Sequence, residues 1–114
     1  MIELPLSNMN SSSTPEISVV ILCYRSGEFA RVFYKRVVDI LTRNGLDYEI
    51  ILVGNYKPGR EDKTPDVVKE IASSNPRTKC VTKEKLDPKH AMGWDMRSGL
   101  EISTGRTITV IDGD

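Results

Sequence analysis

The sequence predicts an α/β fold of Rossmann-like type, in which helices cover both faces of a parallel four-stranded sheet in three layers. Strand-like and helix-like segments alternate from residue 17 to the end of the chain, which is the pattern of β–α–β units. The first strand-like run is apolar throughout, as in a strand that is covered on both faces. Right-handed crossovers leave few topologies, and the commonest one has the strand order 3-2-1-4.

Apolar, β-branched runs predict four strands, at residues 17–24, 48–53, 78–83 and 107–111. The first helix is predicted at residues 28–44. Its apolar residues recur at three- and four-residue spacing and form one stripe, made of Phe29, Val32, Phe33, Val37, Ile40 and Leu41.

The second helix is predicted to begin at Thr64, as the N-cap, with Pro65 in its first turn. The dipeptide Asn75-Pro76 ends it, because the residue before a proline avoids the helical conformation. The third helix is predicted at residues 94–103.

Residues 1–16 are polar and rich in Ser and Asn, so we predict a disordered tail there and a folded domain at residues 17–114. The charge is balanced, with 16 basic and 16 acidic residues, which argues against a nucleic-acid partner. The first residues show no basic region followed by an apolar run, so we expect no secretory signal, and no stretch of residues 1–114 approaches the roughly 20 apolar residues that a membrane span needs.

The two cysteines, Cys23 and Cys80, lie in strands that are two places apart in the predicted order. Their Cα atoms are then roughly 9–10 Å apart, since neighbouring strands are ~4.8 Å apart, and a disulfide needs at most ~7 Å. We therefore expect two reduced thiols in a cytoplasmic protein.

A candidate site lies where the predicted strand order reverses, between the first and fourth strands. Ligands of open α/β sheets bind at this switch point, beyond the carboxyl ends of the strands. The segment 24–28 follows the first strand there, and Asp112-Gly113-Asp114 follows the fourth. Two carboxylates flanking a glycine suit Mg²⁺ or Mn²⁺, with substrate phosphates completing the coordination. Asp-Gly is also a common turn dipeptide.

Four segments are similar, in order and spacing, to the first half of family 2 glycosyltransferases with the GT-A fold. They are SVVILCYRSGE, YEIILVGNYKPGRED, NPRTKCVTKEK and GWDMRSGLEISTGRTITVIDGD. The last segment resembles most closely the polyprenyl-phosphate (dolichyl-phosphate) sugar synthases.

The resemblance implies transfer of a sugar from a nucleotide diphosphate-sugar to an acceptor, either a polyprenyl phosphate or a glycan. Residues assigned to the nucleotide-sugar by the resemblance are Tyr24 and Glu28 at the nucleobase, Gly93 and Arg97 near the phosphates, and Asp112. Asp112 and Asp114 are assigned to the metal. Asn55 stands where the family usually has a carboxylate that reads the nucleobase, and its amide can still hydrogen-bond a base edge.

In this family the acceptor site follows the Asp-x-Asp motif. The resemblance therefore implies that residues 1–114 hold a truncated GT-A domain that is inactive by itself. We also expect the fourth strand to be an exposed sheet edge through which copies of the chain associate. A lipid acceptor implies work at the cytoplasmic face of a membrane.

Two other functions remain open at this point. One is a non-catalytic nucleotide-binding or assembly module of the same fold, which Gly54-Asn55 favours. The other is a sugar-1-phosphate nucleotidyltransferase, although the segment 25–28 is short and poor in Gly for such an enzyme. We interpret His90 as a solvated loop residue and Trp94 as packing the third helix.

Overall fold

The computed structural model describes residues 14–86 and 88–113. Its four strands are β1 (Ile17–Leu22), β2 (Tyr48–Val53), β3 (Thr78–Val81) and β4 (Thr107–Asp112). The three helices are α1 (Phe29–Arg43), α2 (Thr64–Ser73) and α3 (Met92–Leu100). Most of the predicted tail, at residues 1–13, lies outside the described residues.

All strand pairs are parallel, and the sheet order is β3-β2-β1-β4, which confirms the predicted fold class and topology. One face of the sheet is covered by α1 and α2, whose core residues pack on Val19, Ile21, Ile50 and Leu52. The other face is covered by α3 and the turn that follows it, whose Met96 and Ile102 pack on the alternate residues of the central strands. This is the predicted three-layer arrangement.

The sheet is fully buried at its centre and exposed at one edge. Every residue of β2 is buried, and so are the last five residues of β1. In β4, which pairs only with β1 in the described sheet, Thr107, Ile108 and Thr109 are exposed. A strand buried on both faces explains the continuous apolar runs of β1 and β2.

The apolar stripe predicted for α1 is only partly buried. Ala30, Val37 and Leu41 are buried, and Phe33 packs against them. Three other members of the stripe, Phe29, Val32 and Ile40, are exposed. The six predicted residues span about half of the helix circumference, whereas a single contact with a sheet buries a stripe of roughly 100°. The stripe therefore identifies the helix but is wider than the face that the sheet covers.

Thr64 does not act as the predicted N-cap. It is the first residue of α2, and the carboxylate of Asp62 accepts the hydrogen bond of its amide at 3.0 Å. The Thr64 hydroxyl is completely buried and accepts a hydrogen bond from the amide of Gly27 at 2.8 Å. Thr64 therefore ties the loop after β1 to the start of α2, and this loop carries Tyr24.

Helix α3 packs very closely on the sheet at Gly99. A Cβ atom at this position would lie 2.4 Å from Cγ1 of Val20 and 3.0 Å from Cγ2 of Val53. Only a residue without a side chain allows this approach, so Gly99 fixes the distance between α3 and the central strands.

A buried carboxylate holds the turn between α3 and β4 at the amino end of the sheet. Oε2 of Glu49 accepts hydrogen bonds from the Ser18 hydroxyl (2.6 Å) and the Thr104 amide (2.6 Å), and Oε1 lies 3.0 Å from Nζ of Lys79. Burial raises the pKa of Glu49, but these hydrogen bonds outweigh it, so the pKa lies below its usual value of 4.5.

Both cysteines lie in the described part of the chain, and neither forms a disulfide, as predicted. Burial raises the pKa of the Cys80 thiol, more strongly than the nearby Lys69 lowers it. A raised pKa disfavours the reactive thiolate, so Cys80 is a packing residue. Within residues 14–86 and 88–113, no helix is both long enough and apolar enough to cross a bilayer.

Candidate functional site

A cavity of about 290 Å³ opens at the carboxyl ends of β1 and β4, at the predicted switch point. Its polar wall is formed by Tyr24, Lys57, Lys85, His90, Asp95 and Asp112. Two of these residues, Tyr24 and Asp112, were predicted from the sequence. The strand register brings them together, since Leu22 is paired with Asp112 across the parallel ladder of β1 and β4.

The loop after β1 turns sharply to present Tyr24 at the cavity. Arg25 has a φ of 55° and Gly27 has a φ of 56°, values that are uncommon for a residue with a side chain. The loop is held by the amide of Ser26, which donates to the Cys23 carbonyl at 3.0 Å. Strained backbone of this kind concentrates at functional sites.

A buried ion pair lies at the cavity wall. Nζ of Lys85 is 2.8 Å from Oδ2 of Asp95, and only 4% and 6% of the two side chains is exposed. The ammonium also lies 4.2 Å from the centroid of the Tyr24 ring, within the range of a cation–π interaction. The sequence analysis did not identify this pair. The available signal was an acidic residue on α3 together with a lysine in the loop that follows β3.

Asn55 does not face the cavity. Its side chain is 1% exposed, and its Nδ2 donates to Oδ1 of Asp95 at 2.8 Å. Its Oδ1 accepts the amide hydrogen of Lys83 at 2.8 Å. Both ends of the amide therefore bond within the protein, and Asn55 supports Asp95; a hydrogen bond from Asn55 to a nucleobase stays a prediction.

Three other predicted residues lie outside the cavity wall. The side chain of Glu28 is 64% exposed, and its carboxylate pairs with Arg31 at 2.8 Å. Gly93 and Arg97 are exposed on α3. Gly93 has open space around it, since a Cβ built there would meet nothing within 4 Å. Tyr24 and Asp112 thus line one cavity, whereas Glu28, Gly93 and Arg97 are not among its lining residues.

His90 is a half-buried wall residue and not the solvated loop residue that we predicted. Its ring stacks on Trp94 with centroids 4.0 Å apart and an angle of 6° between the planes. Nζ of Lys83 lies 5.6 Å from the Trp94 ring. Trp94 therefore holds the loop before α3 in place, in addition to belonging to that helix.

The Asp-Gly-Asp segment continues the sheet into the cavity. The amide of Gly113 donates to the Leu22 carbonyl at 2.8 Å, and a Cβ at position 113 would lie 2.9 Å from that same oxygen. Glycine is thus required for this close approach. Asp114 lies outside the described residues, and among those that are described no three His, Cys, Asp or Glu side chains converge as a metal site. Asp112 offers the hard oxygen ligand that Mg²⁺ and Mn²⁺ prefer, so the described part of the motif fits such an ion.

Residues 18–114 match the model of glycosyl transferase family 2. The chain belongs to this family. The match covers the whole sheet apart from its first residue, and all three helices. A search of curated proteins found no significant match to the chain.

Membership of glycosyl transferase family 2 implies glycosyltransferase activity, with a nucleotide-sugar donor and an acceptor as the substrates. The family also often uses a divalent metal ion. The position of the cavity, at the carboxyl ends of parallel strands and at a topological switch point, is where open α/β sheets bind their ligands.

Proposed function

We propose that this glycosyltransferase domain binds the nucleotide of a nucleotide diphosphate-sugar in the cavity beside β1 and β4. The observation that carries the proposal is that Tyr24 and Asp112 line one cavity, although 88 positions separate them in the chain. An aromatic face and a carboxylate are the groups needed to stack a nucleobase and to approach a metal-bound diphosphate.

We further propose that Asp112 and Asp114 hold Mg²⁺ or Mn²⁺. A bound ion would neutralise the charge that develops on the nucleoside diphosphate as the sugar leaves. The residues of the chain itself orient the donor: the Tyr24 ring faces the base, and the wall residues Lys57 and Lys85 supply positive charge near the phosphates.

The acceptor is proposed to be a polyprenyl phosphate or a glycan. A phosphate acceptor is already an anion and needs no general base, whereas a sugar hydroxyl needs one. With a lipid phosphate as acceptor, the protein would work at the cytoplasmic face of a membrane.

The alternative of a non-catalytic module loses its main support. It rested on Gly54-Asn55, but both residues have structural reasons to be there. A Cβ at Gly54 would lie 2.8 Å from Cγ2 of Val68, and Asn55 bonds Asp95. Their presence therefore does not indicate a site that has lost its chemistry.

Calorimetry on residues 1–114 tests the donor proposal. We expect one of uridine diphosphate and guanosine diphosphate to bind with one-to-one stoichiometry in MnCl₂, and to bind much more weakly after chelation of the metal. Absence of binding by both nucleotides in MnCl₂ would contradict the proposal. Transfer of labelled sugar by the protein expressed from its complete gene separates a transferase from a non-catalytic module.

A further inference from the structure

The ion pair of Lys85 and Asp95 is expensive to bury. Both side chains are more than nine-tenths buried, and the desolvation of two charges often exceeds the attraction between them. Such a pair is weak evidence for stability, and an apolar pair of the same size would often serve the fold as well. Its location at the wall of the candidate donor cavity suggests a role in binding.

Both partners of the pair line the cavity, and the hydrogen bonds within the protein occupy only part of their capacity. Oδ1 of Asp95 accepts from Asn55 and Oδ2 accepts from Lys85, both at 2.8 Å, so each carboxylate oxygen already serves a protein donor. The Lys85 ammonium has three N–H donors, of which Asp95 takes one. Two N–H donors of the ammonium therefore remain for an anionic ligand.

Lys85 is also held in place from several directions. Its amide donates to the Tyr56 carbonyl at 2.7 Å, and its ammonium lies against the Tyr24 ring. Asp95 is in turn fixed by Asn55, and the Asn55 oxygen is fixed by the amide of Lys83. An ammonium fixed this firmly loses little rotamer entropy when it meets an anion.

We propose that Lys85 is a preformed ligand for the diphosphate group of the donor, acting independently of the divalent metal, and that Asp95 and Asn55 position it. This proposal rests on the proposed function, because it assigns the donor's phosphates to one wall of the same cavity. It predicts that the diphosphate group still increases the affinity for the nucleotide when every divalent ion has been chelated.

The test is calorimetry on residues 1–114 in excess chelator, with three probes: the nucleoside, its diphosphate and inorganic pyrophosphate. For the wild type, the diphosphate should bind more tightly than the nucleoside, and pyrophosphate should compete with the diphosphate.

The variant Lys85→Met/Asp95→Asn removes both charges together, so no unpaired charge remains buried. We expect it to weaken diphosphate and pyrophosphate binding by about tenfold or more, the usual effect of a lost charge-assisted hydrogen bond, and to leave nucleoside binding unchanged.

Lys69→Met/Asp66→Asn is the matched control, since both residues are exposed on α2 and the pair of substitutions likewise removes one positive and one negative charge. It should bind all three probes as the wild type does.

An equal loss of nucleoside and diphosphate binding in Lys85→Met/Asp95→Asn would overturn the proposal, because it would indicate a structural role or a contact with the base. If the wild type bound the diphosphate more tightly than the nucleoside only in MnCl₂, and not in excess chelator, the proposal for Lys85 would be overturned. The proposed function would remain intact. Absence of wild-type nucleotide binding in MnCl₂ as well would reject both.

Discussion

The amide of Gly113 donates to the carbonyl oxygen of Leu22 at 2.8 Å, so the Asp-Gly-Asp motif begins as an extension of the ladder between β1 and β4. The hydrogen bond fixes the backbone on which Asp112 is carried. Asp112 therefore reaches the cavity from a rigid strand end and not from a mobile loop, which suits a residue that must hold an ion in a defined position.

We predict that Asp112→Asn weakens nucleoside diphosphate binding in MnCl₂ by at least about tenfold. Loss of a residue that only hydrogen-bonds to a metal ligand already lowers metal affinity by about 10–100-fold, and Asp112 is proposed to be a ligand itself. Binding in excess chelator should not change. Asp114→Asn should behave in the same way, because the two carboxylates are proposed to hold one ion. Calorimetry with and without metal provides both measurements.

Asp66→Asn is the control for these variants, since Asp66 is an exposed carboxylate in the first turn of α2. Its binding should match that of the wild type in both buffers. If Asp112→Asn and Asp114→Asn both retained full metal-dependent binding, the proposed metal site would have to be abandoned.

Glu49 should make the stability of the domain depend on pH. Its folded-state pKa is lower than the usual 4.5. Its contribution to the free energy of unfolding is therefore complete well above pH 4.5, and it is lost as the pH falls through the folded-state pKa. We predict that Glu49→Gln lowers the free energy of unfolding by about 1–3 kcal/mol at pH 7, because buried donors lose a charged acceptor. The difference from the wild type should shrink below about pH 4.

Urea denaturation at pH 7 and at several values below pH 4.5 measures this effect. Glu101→Gln is the control: Glu101 is 60% exposed and lies 3.7 Å from Lys83, so its removal should change stability by less than about 0.5 kcal/mol. A Glu49→Gln defect that stays constant across the whole pH range would show that the carboxylate charge is not its cause.

The sheet order and the position of the cavity were predictable because they depend on local patterns. Apolar runs identify buried strands, and the right-handed crossover then places the ends of β1 and β4 side by side. The contacts inside the cavity were not predictable in the same way. Asn55 and Asp95 are separated by 40 positions, and no sequence pattern indicates that an amide and a carboxylate so far apart will meet.

The wrong assignments have related causes. The apolar stripe of α1 identified the helix correctly, but the sheet decides which third of the circumference is covered, and Phe29, Val32 and Ile40 fell outside it. His90 lies beside Lys89 in a loop of charged and small residues, and nothing in that segment indicated that its ring would stack on Trp94. Pairwise tertiary contacts of this kind need coordinates.

Gly99 and Gly93 lie in the same helix and should respond oppositely to alanine. We predict that Gly99→Ala is destabilising, because its Cβ would lie 2.4 Å from Val20. Overpacking of this kind costs about 1–3 kcal/mol, and the helix preference of alanine returns at most about 1 kcal/mol. Gly93→Ala meets open space, so it should be neutral or slightly stabilising.

Thermal unfolding followed by circular dichroism distinguishes the two glycine variants, since 1 kcal/mol corresponds to roughly 4–8 °C in a domain of this size. A Gly99→Ala variant as stable as Gly93→Ala would mean that α3 can move away from the sheet at little cost.

We predict that purified residues 1–114 associate with themselves through β4. The strand has one neighbour in the described sheet, its first three residues are exposed, and Ile108 is 41% exposed. An exposed, apolar edge strand presents unpaired backbone groups to another copy, and a lysine on such an edge opposes pairing. Light scattering after size-exclusion chromatography should therefore give a mass that exceeds that of one chain and decreases on dilution. The variant Ile108→Lys should lower this mass to the monomer value.

Ile40→Lys is the control. It places the same charge on α1, where Ile40 is 51% exposed, and should leave the association as it is. A wild-type mass equal to one chain at every concentration would refute edge pairing, and equal effects of the two lysine variants would attribute the association to exposed apolar surface in general and not to β4.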